Sequence, residues 1–202
     1  MPYSTSLEIN SKIEKIKQII FDSCDGIGKY RYDFQQFNEC AYRSIVAVCL
    51  NNVINEKISV EEQAGDGRSD ISIRLDKNID FIVECKIWHH KNEEAVKSLQ
   101  SAFNQLIRYS PVLSHNYFSI IIFNTFFQHN KKEDDANRNN EFYKISQLMI
   151  EKLKQMTDIN NIGHIEKQSP CSWLMYIKNP QNQKDTEIFI CFCNCPNKNK
   201  KS

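Results

Sequence analysis

An apolar run that carries two opposite charges constrains this chain more than any other feature. Residues 80–88 read Asp-Phe-Ile-Val-Glu-Cys-Lys-Ile-Trp, and an apolar run of this length is typical of a strand covered on both faces. Because side chains alternate across a strand, Glu84 and Lys86 project from the same face. Burial of the Glu84 and Lys86 charges without partners or a bound ion costs on the order of several kcal/mol. Groups from outside the strand must therefore meet them.

The residues before this run predict a β-hairpin. Gly65-Asp66-Gly67 is a turn signal, because glycine allows the positive φ of tight connections. Polar and apolar side chains then alternate, with Asp70, Ser72 and Arg74 against Ile71, Ile73 and Leu75. A polar turn at 76–78 leads into the charged strand.

A register that turns Asp70 to the same side as Glu84 brings two carboxylates and the Lys86 ammonium together. Clustered carboxylates repel each other unless a cation or a proton neutralises them. Hard oxygen ligands select Mg²⁺ or Mn²⁺. The pattern therefore favours a divalent ion as the third party.

These residues resemble the PD-(D/E)xK, or restriction-endonuclease-like, nuclease superfamily. Thirteen residues separate Asp70 from Glu84-Cys85-Lys86, which matches the ExK element, and Gly67-Arg68-Ser69-Asp70 is similar to the G-R-x-D form of many members. Ser69 stands where the name of the motif has proline, a departure that leaves the ligand set unchanged. The resemblance covers residues 33–126. It implies an α/β restriction-endonuclease-like core, a mixed β-sheet flanked by helices.

The resemblance also implies a ligand set and a reaction. Asp70, Glu84 and the backbone carbonyl of Cys85 would hold Mg²⁺, with Mn²⁺ as a substitute and Glu39 assisting. Lys86 would orient or deprotonate the attacking water and counter the charge on the phosphate. Arg68, inside the motif, is a candidate contact to nucleic acid.

Two predicted helices flank the hairpin. Residues 33–55 form the first, with a buried stripe made of Phe37, Ala41, Ile45, Val48 and Cys49. Glu39 lies off that stripe, and it is either a metal ligand by position or one half of a surface pair with Arg43 at i,i+4. Residues 92–110 form the second helix, with an inner face of Ala95, Leu99, Ala102, Leu106 and Ile107.

Gln105 and Tyr109 lie one turn apart on the second helix. They resemble the Q-x-x-x-Y element of the recombination-exonuclease branch, which lines the site near nucleic acid, or they form an ordinary solvated edge. The run 117–124 predicts a buried strand parallel to the charged strand, because a helical crossover joins the two.

The rest of the chain predicts an organisation in three parts: an N-terminal helix in residues 1–32, a nuclease core in 33–128 and a C-terminal α/β extension in 129–202 with a basic tail. The N-terminal helix spans residues 6–23, with Leu7, Ile13, Ile16, Ile19 and Ile20, and ends before Gly26. The extension follows a polar connector at 130–140 and reads α-β-β, with a helix at 142–156 and strands at 172–177 and 187–193. We expect it to extend the core sheet or to support a homodimer or a partner subunit.

Composition limits the interpretation. The net charge of +1 gives no general field for nucleic acid, so contacts need a local basic stripe. No opening segment resembles a signal peptide, and no apolar run reaches the roughly 20 residues of a membrane span. We therefore expect a cytoplasmic protein with no membrane partner and with its eight cysteines reduced. Cys191, Cys193 and Cys195 share one strand face, which favours buried small hydrophobes over structural zinc.

The functional hypothesis is a Mg²⁺-dependent nuclease that hydrolyses phosphodiester bonds of nucleic acid. The resemblance favours DNA, because most superfamily members cut it, and by family habit it favours an effector in host defence. One alternative is an endonuclease similar to Holliday-junction resolvases, which would act as a dimer. The other is a catalytically inactive nucleic-acid-binding or assembly module, in which Glu84 and Lys86 merely neutralise each other.

Overall fold

The structure is a computed structural model, and it describes residues 6–30, 37–64, 67–77, 79–88, 92–109, 116–125, 135–155, 162–178 and 185–195. The elements in chain order are α1 (Ser6–Lys29), α2 (Glu39–Val53), β1 (Lys57–Ala64), β2 (Gly67–Asp76), β3 (Ile79–Trp88), α3 (Asn92–Tyr109), β4 (Asn116–Asn124), α4 (Asp135–Gln155), β5 (Ile162–Ser169), β6 (Ser172–Lys178) and β7 (Asp185–Asn194). The described helices include none that is long and apolar enough to cross a membrane.

The strands form one mixed seven-stranded sheet in the order β1-β2-β3-β4-β7-β6-β5. The three central strands β3, β4 and β7 are parallel to one another, and the outer pairs on both sides are antiparallel. Both the predicted hairpin of β2 and β3 and the parallel pairing of β3 with β4 across α3 are confirmed. The fold is therefore mixed α/β, as predicted.

Helices cover both faces of the sheet. Apolar residues of α1 and α2 pack on one face with Ile71, Val83 and Cys85, and those of α3 and α4 pack on the other with Ile82 and Ile120. The strand alternation of β3 explains this division, since odd and even positions point to opposite faces. Cys191, Cys193 and Cys195 all belong to the α1 and α2 side, as predicted for one strand face.

The bounds and faces of two helices differ from the prediction. Helix α1 does not end before Gly26 but continues through Gly28 to Lys29. A Cβ at position 28 would lie 3.3 Å from the Asn194 carbonyl oxygen, so glycine there allows α1 to approach the end of β7 closely. Leu7, one of the apolar residues of this helix, is 81% exposed.

Helix α2 begins at Glu39 rather than at residue 33, and residues 31–36 lie outside the described part. Its buried residues are Tyr42, Arg43, Val46, Ala47 and Leu50. The predicted stripe is therefore offset by about one residue: Phe37, Ile45 and Cys49 pack against the core but are only partly buried, and Val48 is 58% exposed. Arg43, a surface residue in one of the two interpretations of Glu39, is buried.

The C-terminal part contains one strand more than predicted. Helix α4 begins at Asp135, inside the predicted connector, and β5 precedes the two expected strands. Strand β7 pairs with β4 on one side and with β6 on the other. The C-terminal part thus extends the sheet of the preceding strands directly. Strands β1 and β5, at the two edges of the sheet, were both absent from the prediction.

Candidate functional site

The site lies where β2 and β3 stop pairing. Their ladder runs from Asp76 and Ile79 to Ile71 and Val83, and the next residues in register are Asp70 and Glu84. Beyond that point β2 continues to pair with β1 alone, and β3 with β4 alone. Asp70 links the separating strands, because its Oδ2 accepts a hydrogen bond of 2.7 Å from the Cys85 backbone N–H.

The other oxygen of Asp70 is held by an arginine from α2. The Arg43 guanidinium donates through Nη1 to Asp70 Oδ1 at 2.7 Å and through Nη2 to Glu61 Oε1 at 2.5 Å. Both Arg43 and Asp70 are buried. Their charges compensate each other in a setting where an unpaired charge is costly.

Glu84 is the most deeply buried acid of the site, with 1% of the residue exposed. Its Oε1 accepts a hydrogen bond of 2.6 Å from the Lys86 ammonium. Its Oε2 is buried, and no group in the described part of the chain hydrogen-bonds to it. Burial first, and then the nearby Asp70 charge, raise the pKa of Glu84 to about 7 against the lowering effect of Lys86.

Lys86 remains an ammonium at neutral pH. Its burial alone would lower its pKa, but the charge of Glu84, helped by Glu39 and Asp70, raises the pKa above its ordinary value. A protonated amine donates hydrogen bonds and attracts anions, and it does not accept a proton. The arrangement therefore favours a charge-stabilising role for Lys86 over a role as a base.

Glu39 reaches the same strand from the first turn of α2. Its Oε2 accepts a hydrogen bond of 3.2 Å from the Ile87 N–H. Asn38 caps the helix, because its side chain accepts a 2.9 Å bond from the Ala41 N–H. The predicted surface pair of Glu39 with Arg43 is wrong, since the arginine binds Asp70 and Glu61 instead. Glu39 is a carboxylate at the rim of the site.

Sequence reasoning missed Arg43 and Glu61. The signal for Arg43 was present, because positions 43, 46, 47 and 50 follow the i, i+3, i+4, i+7 spacing of one helical face. A charge in phase with Val46 and Leu50 must find a buried partner. Glu61 carried no such signal, because it lies in an edge strand that the prediction lacked.

The remaining predicted residues have separate surroundings. Arg68 is exposed on β2, two positions before Asp70, and Gln105 is half-buried on α3. Tyr109 ends α3, and its side chain lies outside the described residues. Cys85 is fully buried in the apolar core, and burial raises the pKa of its thiol well above the ordinary value. Its side chain is therefore core, as predicted, and only its backbone faces the site.

The donor set fits a hard divalent cation in its chemistry. Asp70, Glu84 and Glu39 supply carboxylate oxygens, which Mg²⁺ and Mn²⁺ prefer. The Oε2 of Glu84, without a partner in the described ranges, is the kind of buried atom that a cation or a proton would satisfy. Across the described ranges, however, no three His, Cys, Asp or Glu side chains form a group that could hold a metal ion. Asp70 and Glu39 are engaged by Arg43 and by backbone N–H groups instead.

Comparison with known proteins adds no relative: the chain matches no family model, no curated protein and no solved structure.

Proposed function

We propose that this chain is a metal-dependent nuclease whose site is the Asp70, Glu84 and Lys86 cluster. The observation that carries the proposal is the Oε2 of Glu84, which has no partner among the described residues and belongs to an acid 1% exposed beside a second carboxylate. A stabilising core would have little use for such an atom, because a buried polar group without a partner costs about 1–3 kcal/mol. A site that receives a cation has a use for it.

The residues divide the work by their chemistry. Asp70, Glu84 and the Cys85 carbonyl would hold Mg²⁺, with Glu39 at the rim. The bound ion would lower the pKa of a water molecule and neutralise charge on the phosphate. Lys86, kept protonated by Glu84, would orient that water and attract the phosphate oxygens. The raised pKa favours this role over proton removal.

Nucleic acid is the proposed substrate, with DNA ahead of RNA because of the resemblance to the PD-(D/E)xK superfamily. Arg68 is exposed on β2, two positions before Asp70, and it is the candidate contact to phosphate. The net charge of +1 provides no long-range attraction, so we expect weak binding whose salt dependence reflects only a few local contacts to phosphate. A role in host defence follows from the resemblance alone.

The test is a cleavage assay with purified protein. Plasmid, linear duplex, single-stranded DNA, a four-way junction and RNA are each incubated with Mg²⁺, Mn²⁺ or EDTA. We expect DNA cleavage with either ion and none with EDTA. Asp70→Asn and Glu84→Gln should each lower the rate by about a hundredfold or more, because each removes a charged oxygen from the ion.

The matched control is Asp80→Asn. Asp80 is also a buried acid of β3, but its partner is Arg74, outside the proposed site. Its variant should cleave like the wild type. Equal cleavage by folded Asp70→Asn protein would reject the assignment, and a preference for the junction would identify the resolvase-like alternative.

A catalytically inactive module is the second candidate, and the ion pairs favour it. Both oxygens of Asp70 are occupied, and Lys86 neutralises Glu84. In that case the cluster only joins β2, β3 and α2. The protein would then cleave no substrate with any ion, and Asp70→Asn would change stability alone.

A further inference from the structure

Arg43 stands where a cation would approach Asp70. Its Nη1 lies 2.7 Å from Asp70 Oδ1, and the Cys85 N–H occupies the other oxygen at the same distance. The guanidinium is thus a positive charge resident on a carboxylate of the site. A divalent ion on that oxygen would meet a like charge at close range, which weakens its binding.

The hydrogen bonding of the Arg43 guanidinium is incomplete. The Arg43 Nε is buried, and it has no hydrogen-bond partner among the residues that the structure describes. Only the two terminal nitrogens are used, one for each carboxylate. A guanidinium that is bound only through its two terminal nitrogens, each to a different acid, can move toward one acid and keep an ionic partner.

Glu61 offers Arg43 that second partner from an unusual backbone position. The β1–β2 ladder skips Glu61, which lies opposite Asp70 between the pairs Val60 with Ile71 and Glu62 with Ser69. Its φ is 57°, in the left-handed region that residues other than glycine rarely adopt. Strained residues of this kind concentrate at functional sites. The Glu61 side chain is 49% exposed, so it can follow a moving arginine.

We infer that Arg43 acts as a guard of the metal site: it competes with a divalent ion for Asp70, and it moves from Asp70 to Glu61 when the ion binds. The inference rests on the proposed function, because it needs the ion site at Asp70 and Glu84. In the guarded state Arg43 supplies the positive charge that keeps Asp70 compensated. With an ion bound, the ion would compensate the charge of Asp70, and Glu61 would hold Arg43 beside the site. Ion affinity is then set by competition, and Arg43 and Glu61 act on it in opposite directions.

The experiment is calorimetric titration of the folded protein with Mn²⁺ alone, without nucleic acid. Arg43→Gln should bind Mn²⁺ at least about tenfold more tightly than the wild type, because a like charge beside the ion is gone. Glu61→Gln should bind it several-fold more weakly, because Arg43 then has only Asp70. In the double variant the Glu61 substitution should have no further effect, since it acts through Arg43.

Two controls separate this behaviour from a general change of charge. Arg74→Gln removes a positive charge from β2, the strand that carries Asp70. Asp76→Asn removes a negative charge at the far end of β2. Both should bind Mn²⁺ like the wild type. Thermal melting with and without Mn²⁺ gives a second readout, in which the ion stabilises Arg43→Gln more than the wild type.

The outcomes distinguish the two proposals. Mn²⁺ uptake by the wild type that is unchanged or weaker in Arg43→Gln overturns the guard and leaves the metal site standing. No uptake by any variant overturns the metal site itself. Uptake by Arg43→Gln alone supports both. If Arg43→Gln does not fold, Glu61→Gln decides, and an affinity equal to that of Asp76→Asn overturns the guard.

Discussion

Lys17 and Lys86 both lie among carboxylates, Lys17 buried and Lys86 partly buried, and their surroundings differ. Lys17 on α1 pairs with Glu14 at 2.7 Å and with Glu187 of β7, whose side chains are 71% and 21% exposed. It also lines a cavity of about 320 Å³. Lys86 pairs with Glu84, whose side chain is 1% exposed and whose second oxygen has no partner within the described residues.

The difference shows what separates a structural ion pair from a candidate reaction site. Around Lys17 the acids reach water, so solvent satisfies the oxygens that the ammonium leaves over. Glu84, the acid that pairs with Lys86, is shielded from water, and Asp70 adds a second negative charge to its surroundings. A cavity is present at Lys17, so a cavity alone does not make the distinction. What distinguishes the Lys86 cluster is the buried Oε2 of Glu84, which has no hydrogen-bond partner among the described residues.

Removal of the two ammonium groups should give the largest contrast. If the proposed nuclease function holds, Lys86→Met should lower the cleavage rate by about a hundredfold or more, because it loses the charge that would orient water and phosphate. Lys17→Met should cleave like the wild type. The measurement is plasmid cleavage with Mg²⁺ at equal concentrations of folded protein. Similar rates for both variants would remove the distinction between the two clusters.

The next contrast concerns stability and two arginines. Arg43→Met should lower the free energy of unfolding by about 3–5 kcal/mol, because it leaves Asp70 buried without its charge partner. Arg74→Met should cost about 1 kcal/mol, since the Arg74 side chain is 48% exposed and solvent screens its pair with Asp80. Urea denaturation measures both values. A loss of less than 1 kcal/mol in Arg43→Met would show that Asp70 is not compensated by this arginine.

The pH dependence of stability should reveal Glu84. Its pKa is raised from 4.5 to about 7 in the folded protein, so the native state binds the proton more tightly than the unfolded state. The stabilising contribution is complete below pH 4.5 and is lost as the pH rises through about 7. Its slope is at most about 1.4 kcal/mol per pH unit.

Glu84→Gln should remove this slope from urea denaturation curves measured across that range, and Glu187→Gln at the Lys17 cluster should keep it. A wild-type protein whose stability does not fall across this range would contradict the raised pKa.

The smallest effect is expected at Cys85. Its side chain packs in the core, and only its backbone N–H contacts Asp70. Cys85→Ala should therefore cleave like the wild type and lose about 1 kcal/mol of unfolding free energy through reduced packing. A loss of cleavage without a loss of stability would give the thiol a part in the reaction.

The central elements were predictable because their patterns are local. Alternation in β2, the charged run of β3 and the helix between two apolar runs define the hairpin and the crossover. The edge strands were missed, because β1 and β5 are rich in polar residues. Val48 misled the prediction of α2, because the buried face was chosen from apolar residues at helical spacing, and Arg43 was left off it.

The site was predictable only in its acids and its lysine. The approach of Asp70 to Glu84 follows from the hairpin register, which the turn at 76–78 indicates. The contact between Arg43 and Asp70 joins residues 27 positions apart, and it depends on how α2 packs over the sheet. Periodicity can say that Arg43 is buried. It cannot say which acid receives it.

The position of β7 has a consequence for synthesis of the protein on the ribosome. β4 is made before α4, β5 and β6, yet its neighbour in the finished sheet is β7, the last of the described strands to be made. During translation the edge of β4 that later pairs with β7 is therefore exposed, with Ile120, Ile121 and Ile122 next to unpaired backbone groups. Chains that stop before residue 185 should aggregate or be degraded, so only complete translation products should accumulate.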